Sequence, residues 1–248
     1  MLGEEGAARR EARMRRNTTA EQIKRLILHR GLRPGDAIPT ETELCEQLDV
    51  SRSSVREAVR TLATLDIVEV RHGHGTVVGQ MSLAPLVETL VFRGVLSPGD
   101  ELAALREVVE LRYAFDMGLA DQVVVAHRGG RNESMARLVE QMRTNAEHEQ
   151  PFLLEDRQFH SELLEPIGNQ LAGQLVAAFW DIHTATLPRL GLALPSDLRQ
   201  TAKAHGDMLD AAQAGDVAAY RAALVDHYEP LTRMLRSKTS PAAGTGNA

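Results

Sequence analysis

The sequence predicts a mainly α-helical protein in two parts, a small mixed head and a larger all-helical body. Three observations carry this. Aromatic residues make up only 4% of a chain that is 43% hydrophobic, so its core is built from Leu, Val, Ala and Met, which suits helix-on-helix packing better than a β-sandwich. Apolar residues recur at three- and four-residue spacing along most of the chain and change to a period of two only after Asp66. Charge is uneven as well. The first 80 residues hold 13 Lys+Arg against 12 Asp+Glu, and the remaining 168 hold 15 against 22, so only the first part suits a polyanionic partner.

The same inventory excludes several classes. The single cysteine, Cys45, rules out an intramolecular disulfide. No apolar run approaches the 18 or so residues of a membrane span. The opening MLGEEGAARREARMRR is charged without an apolar segment and is not a secretory signal. A reducing, cytoplasmic setting with no membrane partner is expected.

Element by element, residues 1–16 lack apolar period and read as a disordered arm. From Asn17 onward, Ile23, Leu26, Ile27 and Arg30 fall at helical spacing, and GLRPGD supplies the stop. Thr40 and Glu43 stand in the capping-box relation ahead of Leu44 and Leu48, so a short helix follows. Ser51 then caps a third helix whose inward stripe is Val55, Ala58, Val59, Leu62 and Leu65. Asp49 occupies the turn between the two, where Asp tolerates left-handed backbone better than most residues. IVEV, RHGHG and TVVG read as two strands joined by a glycine-bearing hairpin. Helix, helix, turn, helix, hairpin is a winged helix-turn-helix, placed at 17–80.

Beyond Gly79 no further strand is predicted. Ser82 and Pro85 open a helix carrying Leu86, Leu90 and Val91, which ends at an SPGD turn over 97–100. Six more helices are expected at roughly 101–127, 131–147, 151–164, 169–186, 197–213 and 217–236. The body, 81–236, is thus an all-α bundle of about seven helices, and 237–248 reads as a disordered tail.

Two constellations carry chemistry. The first is the row Arg52, Arg56 and Arg60 behind Ser51. A helix N-terminus in the major groove presents its first two turns to base edges, and arginine there bonds guanine O6 and N7 bidentately. Serine hydroxyls and the helix N-terminus suit phosphates. The candidate DNA-contacting set is Thr42, Ser51, Arg52, Ser53, Ser54, Arg56 and Arg60, with His72 and Gly73 at the wing. Alternatively, the arginines pair with Glu57, Asp66 or Glu69 on a solvated face; the capped helix before them and the glycine hairpin after them favour DNA.

The second is EDRQFHSELL, which puts Asp156 and His160 on one helix face, together with His205 and His227. These two lie ten residues before and twelve after Gly215, roughly 15 and 18 Å from the AGD turn at 1.5 Å per residue, so they can face each other on antiparallel helices. One carboxylate and three imidazoles suit a divalent ion, Zn²⁺ first, with Ni²⁺, Mn²⁺ or Fe²⁺ as alternatives, and leave one or two positions open. Scattered histidines are more often surface or hydrogen-bonded core residues, and spacing alone leaves that alternative standing. His183 is either pocket lining or core.

PTETELCEQLDVSRSSVREAVRTLATLDIVEVRHGHGTVV resembles the winged helix-turn-helix of GntR-type transcriptional regulators, in particular the FadR-like branch, over about 70 residues. The resemblance implies that Arg52 and Arg56 read bases and that His72 enters the minor groove. Asp49 stands where the family usually has glycine, and His74 where a basic wing residue is common. Residues 83–236 resemble the FCD ligand-binding domain, whose metal-binding members carry an Asp-x-x-x-His pair and two later histidines; Asp156, His160, His205 and His227 match in order. The family also implies a small carboxylate effector at the metal's open side, assisted by an arginine from an early helix, for which Arg106 is the best match, as well as a homodimer on an inverted-repeat operator.

The function expected is a ligand-responsive DNA-binding regulator, a repressor released by a small organic or sugar acid, and not an enzyme. A metal-sensing regulator is one alternative. A metal-dependent hydrolase using the Asp/His cluster is another, but it lacks a general base and leaves the head unexplained.

Overall fold

The computed structural model describes residues 18–96, 102–189 and 197–237, with backbone alone at 94, 95, 104, 183, 186–189 and 237. The expected arm over 1–16, the turn at 97–100 and the tail beyond Ser237 lie outside the described residues. The chain divides into two compact units, Met1–Pro85 and Leu86–Ala248.

The head contains α1 (Thr19–His29), α2 (Glu41–Leu48), α3 (Arg52–Thr64), β1 (Val68–Arg71) and β2 (Gly75–Val78). Each helix starts at the polar residue able to start it. Thr18 accepts the Glu21 amide. Thr40 Oγ1 accepts from Glu43 N at 3.3 Å while the Glu43 carboxylate accepts from Thr40 N at 2.8 Å, closing the predicted capping box. Ser51 Oγ accepts from Ser54 N at 3.2 Å. Between α2 and α3, Asp49 takes φ 52°, ψ 51°, the left-handed turn expected of it.

The core of the head is Ile23, Ile27, Ile38, Leu44, Val55, Ala58, Val59, Leu62, Val68 and Val78. Leu65 departs from expectation. It caps the C-terminus of α3 rather than extending its stripe and is 49% exposed, because the helix has ended before its inward face recurs. The two strands pair antiparallel from Val68↔Val78 to Arg71↔Gly75, with His72, Gly73 and His74 forming the tip. Gly79 closes the wing where a Cβ would lie 2.2 Å from the Asp66 carbonyl oxygen, so no larger residue fits without moving backbone.

The body holds seven helices among the described residues: α4 (Ala84–Val95), α5 (Ala103–His127), α6 (Glu133–Glu147), α7 (Leu153–Leu164), α8 (Gln170–Arg189), α9 (Leu198–Ala214) and α10 (Val217–Ser237). A 3-10 turn, Glu165–Ile167, follows α7. Caps again explain the boundaries. Asn132 accepts from Ser134 N and Met135 N, Asn169 Oδ1 accepts from Ala172 N, and Asp197 Oδ1 accepts from Gln200 N. The α9–α10 reversal is the predicted one: Gly215 adopts φ 78° and Asp216 Oδ1 accepts from Ala219 N at 2.9 Å, a left-handed C-cap followed by an N-cap. The apolar core draws Met135 and Met142 from α6, Phe159 and Leu163 from α7, Met208 and Ala212 from α9, and Tyr220 and Leu224 from α10.

Pro230 sits inside α10, which continues to Ser237. It has no N–H for the Asp226 carbonyl, and Gln200 Nε2 from α9 stands 3.4 Å from that oxygen. The group released by proline thus has a substitute donor next to the turn of helix that carries His227.

Candidate DNA interface and candidate metal centre

On the head, Ser51, Arg52, Ser53, Arg56 and Arg60 are exposed, as are Thr42 on α2 and His72 and Gly73 at the wing tip, while Ser54 is half-buried. The three serines are knotted at the start of α3: Ser51 Oγ lies 2.8 Å from Ser53 Oγ and 2.9 Å from Ser54 Oγ. Arg52 reaches Thr42 Oγ1 at 3.4 Å. Arg56 pairs with Glu41 at 3.3 Å, not with the acids weighed from the sequence. Both partners are exposed, and such a pair is worth only about 0–1 kcal/mol, so Arg56 leaves it readily for a stronger acceptor. His74 Nδ1 lies 3.1 Å from the His72 carbonyl, which folds one wing imidazole back on the hairpin.

In the body, three helices deliver the four residues of the second constellation. α7 contributes Asp156 and His160, α9 contributes His205, and α10 contributes His227. One candidate ligand atom from each lies within 4.8 Å of every other, and all three histidines are buried. Asp156 Oδ1 is 2.7 Å from His205 Nε2 and 3.6 Å from His160 Nε2. The imidazole centroids are 4.6 Å (His205–His227), 5.0 Å (His160–His227) and 5.4 Å (His160–His205) apart.

Hydrogen bonding fits this group of residues to a cation. His205 Nδ1 lies 2.8 Å from the Thr201 carbonyl, an acceptor, which assigns that nitrogen the ring proton. Nε2 then turns a lone pair toward a carboxylate oxygen. Positive charge is required between them, either a second proton or a metal ion. His160 Nε2 and His227 Nδ1 are buried with no hydrogen-bond partner in the protein, a costly arrangement for polar atoms. Electrostatics point the same way. Burial lowers the pKa of His160, against the pull of the nearby Asp156 carboxylate, and burial, with the neighbouring imidazoles, holds His227 well below the ordinary range. Burial alone would raise the Asp156 carboxyl, but His160 and His205 hold it well below the usual carboxylate range. Neutral imidazoles at His160 and His227 and an ionised carboxylate at Asp156 are the ligand forms.

Beside the cluster is a cleft of about 80 Å³ whose wall includes Asp156, His227, Tyr228, Phe152, Thr201 and Arg112. Arg112, on α5, is 4% exposed, and its Nε and Nη2 have no hydrogen-bond acceptor. Burial disfavours its charge, but Tyr228, Asp116 and Asp156 outweigh this and shift it upward. Tyr228 donates to Asp116 Oδ2 at 2.5 Å, and Asp116 stands 3.9 Å from the guanidinium. Arg106, singled out from the sequence, lines a neighbouring cleft of about 700 Å³ between α5 and α10, with Tyr113, Glu110 and Arg236; Tyr228 is part of the wall of both clefts. His183 lies on α8, with its side chain outside the described part of the structure. His127 is a hydrogen-bonded core residue, 2.9 Å from the Leu163 carbonyl.

Sequence reasoning missed Arg112 and Thr201. A signal for Arg112 existed. The inward stripe of α5 runs Leu105, Val109, Arg112, Asp116, Ala120, Val123 and His127, all buried, and an arginine inside an apolar stripe needs a buried partner or ligand.

The head and body match two family models, "Bacterial regulatory proteins, gntR family" over residues 15–78 and "FCD domain" over residues 107–230. The chain belongs to the GntR family of bacterial transcriptional regulators, in its FCD-containing form, and the pairing is consistent with the FadR-like branch. Relatives agree. The galactonate operon transcriptional repressor of Escherichia coli is 24% identical over 213 residues, covering 86% of this chain and 93% of that protein. A Micromonospora viridifaciens protein described as a transcriptional regulator, NedR, is 46% identical over 76 residues, 31% of this chain and 54% of that one, so the match spans about half of that relative. Among solved structures, a Streptococcus agalactiae GntR protein superposes with TM-score 0.61 at 29% identity, over 87% of this chain and 98% of that one. The protein is thus a transcriptional regulator with a DNA-binding head, not an enzyme. Among the described residues no helix is long and apolar enough to cross a membrane.

Proposed function

We propose that this regulator is a repressor whose hold on DNA is released by a small carboxylate bound beside a divalent metal ion. The observation that carries the reading is the convergence of Asp156, His160, His205 and His227 within 4.8 Å, next to a buried arginine with unspent donors. Asp156 and the three imidazoles would hold the ion, Zn²⁺ before Ni²⁺, Mn²⁺ or Fe²⁺. When bound, the ion supplies Lewis acidity toward a carboxylate oxygen.

The chain's own residues do the rest. The Thr201 carbonyl fixes the His205 tautomer, Asp116 and Tyr228 hold Arg112 at the cleft wall, and Arg112 offers N–H donors to an anion, a charge-assisted contact of the strong kind. Arg112, rather than Arg106, is the arginine this reading assigns to the effector. That the E. coli relative is named for a galactonate operon is in keeping with a sugar or organic acid.

In the head, Arg52 and Arg56 read base edges, Thr42, Ser51, Ser53, Ser54 and Arg60 position the helix on phosphates, and His72 and Gly73 carry the wing into the minor groove. The protein acts in the cytoplasm as a homodimer, whose two recognition helices meet the halves of an inverted repeat. Effector binding need supply only about 1–3 kcal/mol of coupling to change DNA affinity several-fold to a hundredfold.

The test is selection of genomic fragments by the metal-loaded protein, followed by affinity measurement on the selected DNA with a panel of organic and sugar acids. One acid is expected to weaken binding in the wild type and not in Arg112→Met. If no acid changes the affinity, the effector reading falls.

A further inference from the structure

The two oxygens of Asp156 have different surroundings. Oδ1 faces the imidazoles of His205 and His160. Oδ2 accepts the indole N–H of Trp180 at 2.5 Å, a bond that ties α7 to α8. An indole nitrogen is a donor only, so it competes for no metal and presents the carboxylate with a single fixed option.

Trp180 is itself held in place. It is 8% exposed, with Ala178 and Ile182 buried close by in the same helix. The Arg157 guanidinium lies 5.7 Å over its ring, and Arg157 is anchored to Asp181 at 3.2 Å.

Resting on the reading of the four residues as a metal site, we propose that Trp180 is a positioning residue that makes Asp156 a one-oxygen ligand and so keeps an additional coordination position available to the effector. Around a six-coordinate ion, one carboxylate oxygen and three imidazoles would fill four positions and leave two, enough for a chelating acid that presents a carboxylate and a second oxygen. A carboxylate bound through both oxygens would leave one. With Oδ2 engaged by the indole, Oδ1 is the oxygen turned toward His205 and His160, and the two-position case follows. Without that bond the carboxylate is free to swing its second oxygen onto the ion.

The experiment uses the full chain, stripped of metal and titrated with Co²⁺ alone, in the wild type and Trp180→Phe. Because the chain contains one tryptophan, wild-type indole emission reports this side chain and nothing else. Quenching is expected in step with the visible bands of bound Co²⁺. Trp180→Phe is expected to bind Co²⁺ roughly 10- to 100-fold more weakly, the usual cost of removing an outer-sphere partner, and with bands altered in position and intensity, since these respond to coordination number. A purely structural role for Trp180 would lower the melting temperature and leave the bands of the bound ion unchanged. Co²⁺ uptake with undisturbed emission would overturn the proposal, as would a variant matching the wild type in affinity and spectrum. The emission measurement decides even if the variant fails to fold. If the wild type takes up no Co²⁺, the metal-site reading falls and this inference with it; uptake that ignores the substitution sinks the role of Trp180 alone.

Discussion

Asp156 and His205 are 49 positions apart in the chain and 2.7 Å apart in the fold, Oδ1 to Nε2. The Thr201 carbonyl lies against the other ring nitrogen of His205, so the short contact sets a lone pair against a carboxylate unless positive charge lies between them. His160 and His227 each add a buried nitrogen with no partner. Four groups that would repel or strand one another in isolation would become a stable set around one cation.

The pH dependence of the metal-free protein follows from this. Burial holds His160 and His227 below the ordinary imidazole range, so between their folded values and about 6.5 the unfolded chain binds more protons than the folded one. The stability they contribute is present in full above about pH 6.5 and is lost as the pH falls through that window. Melting of the stripped protein is expected to decline between pH 7 and 5, and His227→Gln to flatten the decline. Equal slopes for the two proteins would show that His227 is not buried neutral.

Arg112→Lys is expected to leave metal affinity near the wild-type value while weakening the response of DNA binding to the effector acid, because a point charge does not replace a planar fork of donors. Metal titration and DNA anisotropy on the same preparation separate the two effects. A response equal to the wild type would remove Arg112 from the effector site.

On the head, Arg52→Ala and Arg56→Ala should each cost about 1–3 kcal/mol of discrimination between target and random DNA. Arg60→Ala should instead weaken both alike and reduce the salt slope by about one. Glu41→Ala frees Arg56 from its pair and should strengthen binding. The check is anisotropy across a salt series, and loss of specificity in Arg60→Ala alone would reverse the assignment.

Asp49 carries a left-handed backbone at φ 52°, a conformation that costs an ordinary L residue roughly 1–2 kcal/mol. Asp49→Val should destabilise the head by about that amount, and Asp49→Gly should leave it at least as stable as the wild type. Denaturant unfolding of the full chain, followed by head-specific amide exchange, reads both.

Much of this was legible in the residues themselves, for local reasons. Thr40 with Glu43, Ser51, and the Gly215–Asp216 pair announce their helix ends because caps act over three or four positions. Asp156 and His160 share a face because they are four apart, and the hairpin at Gly215 brings His205 and His227 together. The surroundings of Arg112 and Trp180 exist only once α5 packs on α10 and α7 on α8: no spacing within α5 reveals that its inward arginine meets Tyr228, and nothing in α8 reveals that its indole meets Asp156. Arg106 lies on the same helix, six residues before Arg112, and lines the neighbouring cleft. Leu65 failed for a local reason, falling at the C-cap where the helical period no longer applies.

The most direct measurement is the metal content of purified protein dialysed against excess Zn²⁺ and then washed, for the wild type and for His160→Ala/His205→Ala. The account predicts one equivalent per chain in the wild type and essentially none in the double variant, with both folded by circular dichroism. A wild type that retains no ion, or a double variant that retains a full equivalent, would contradict it.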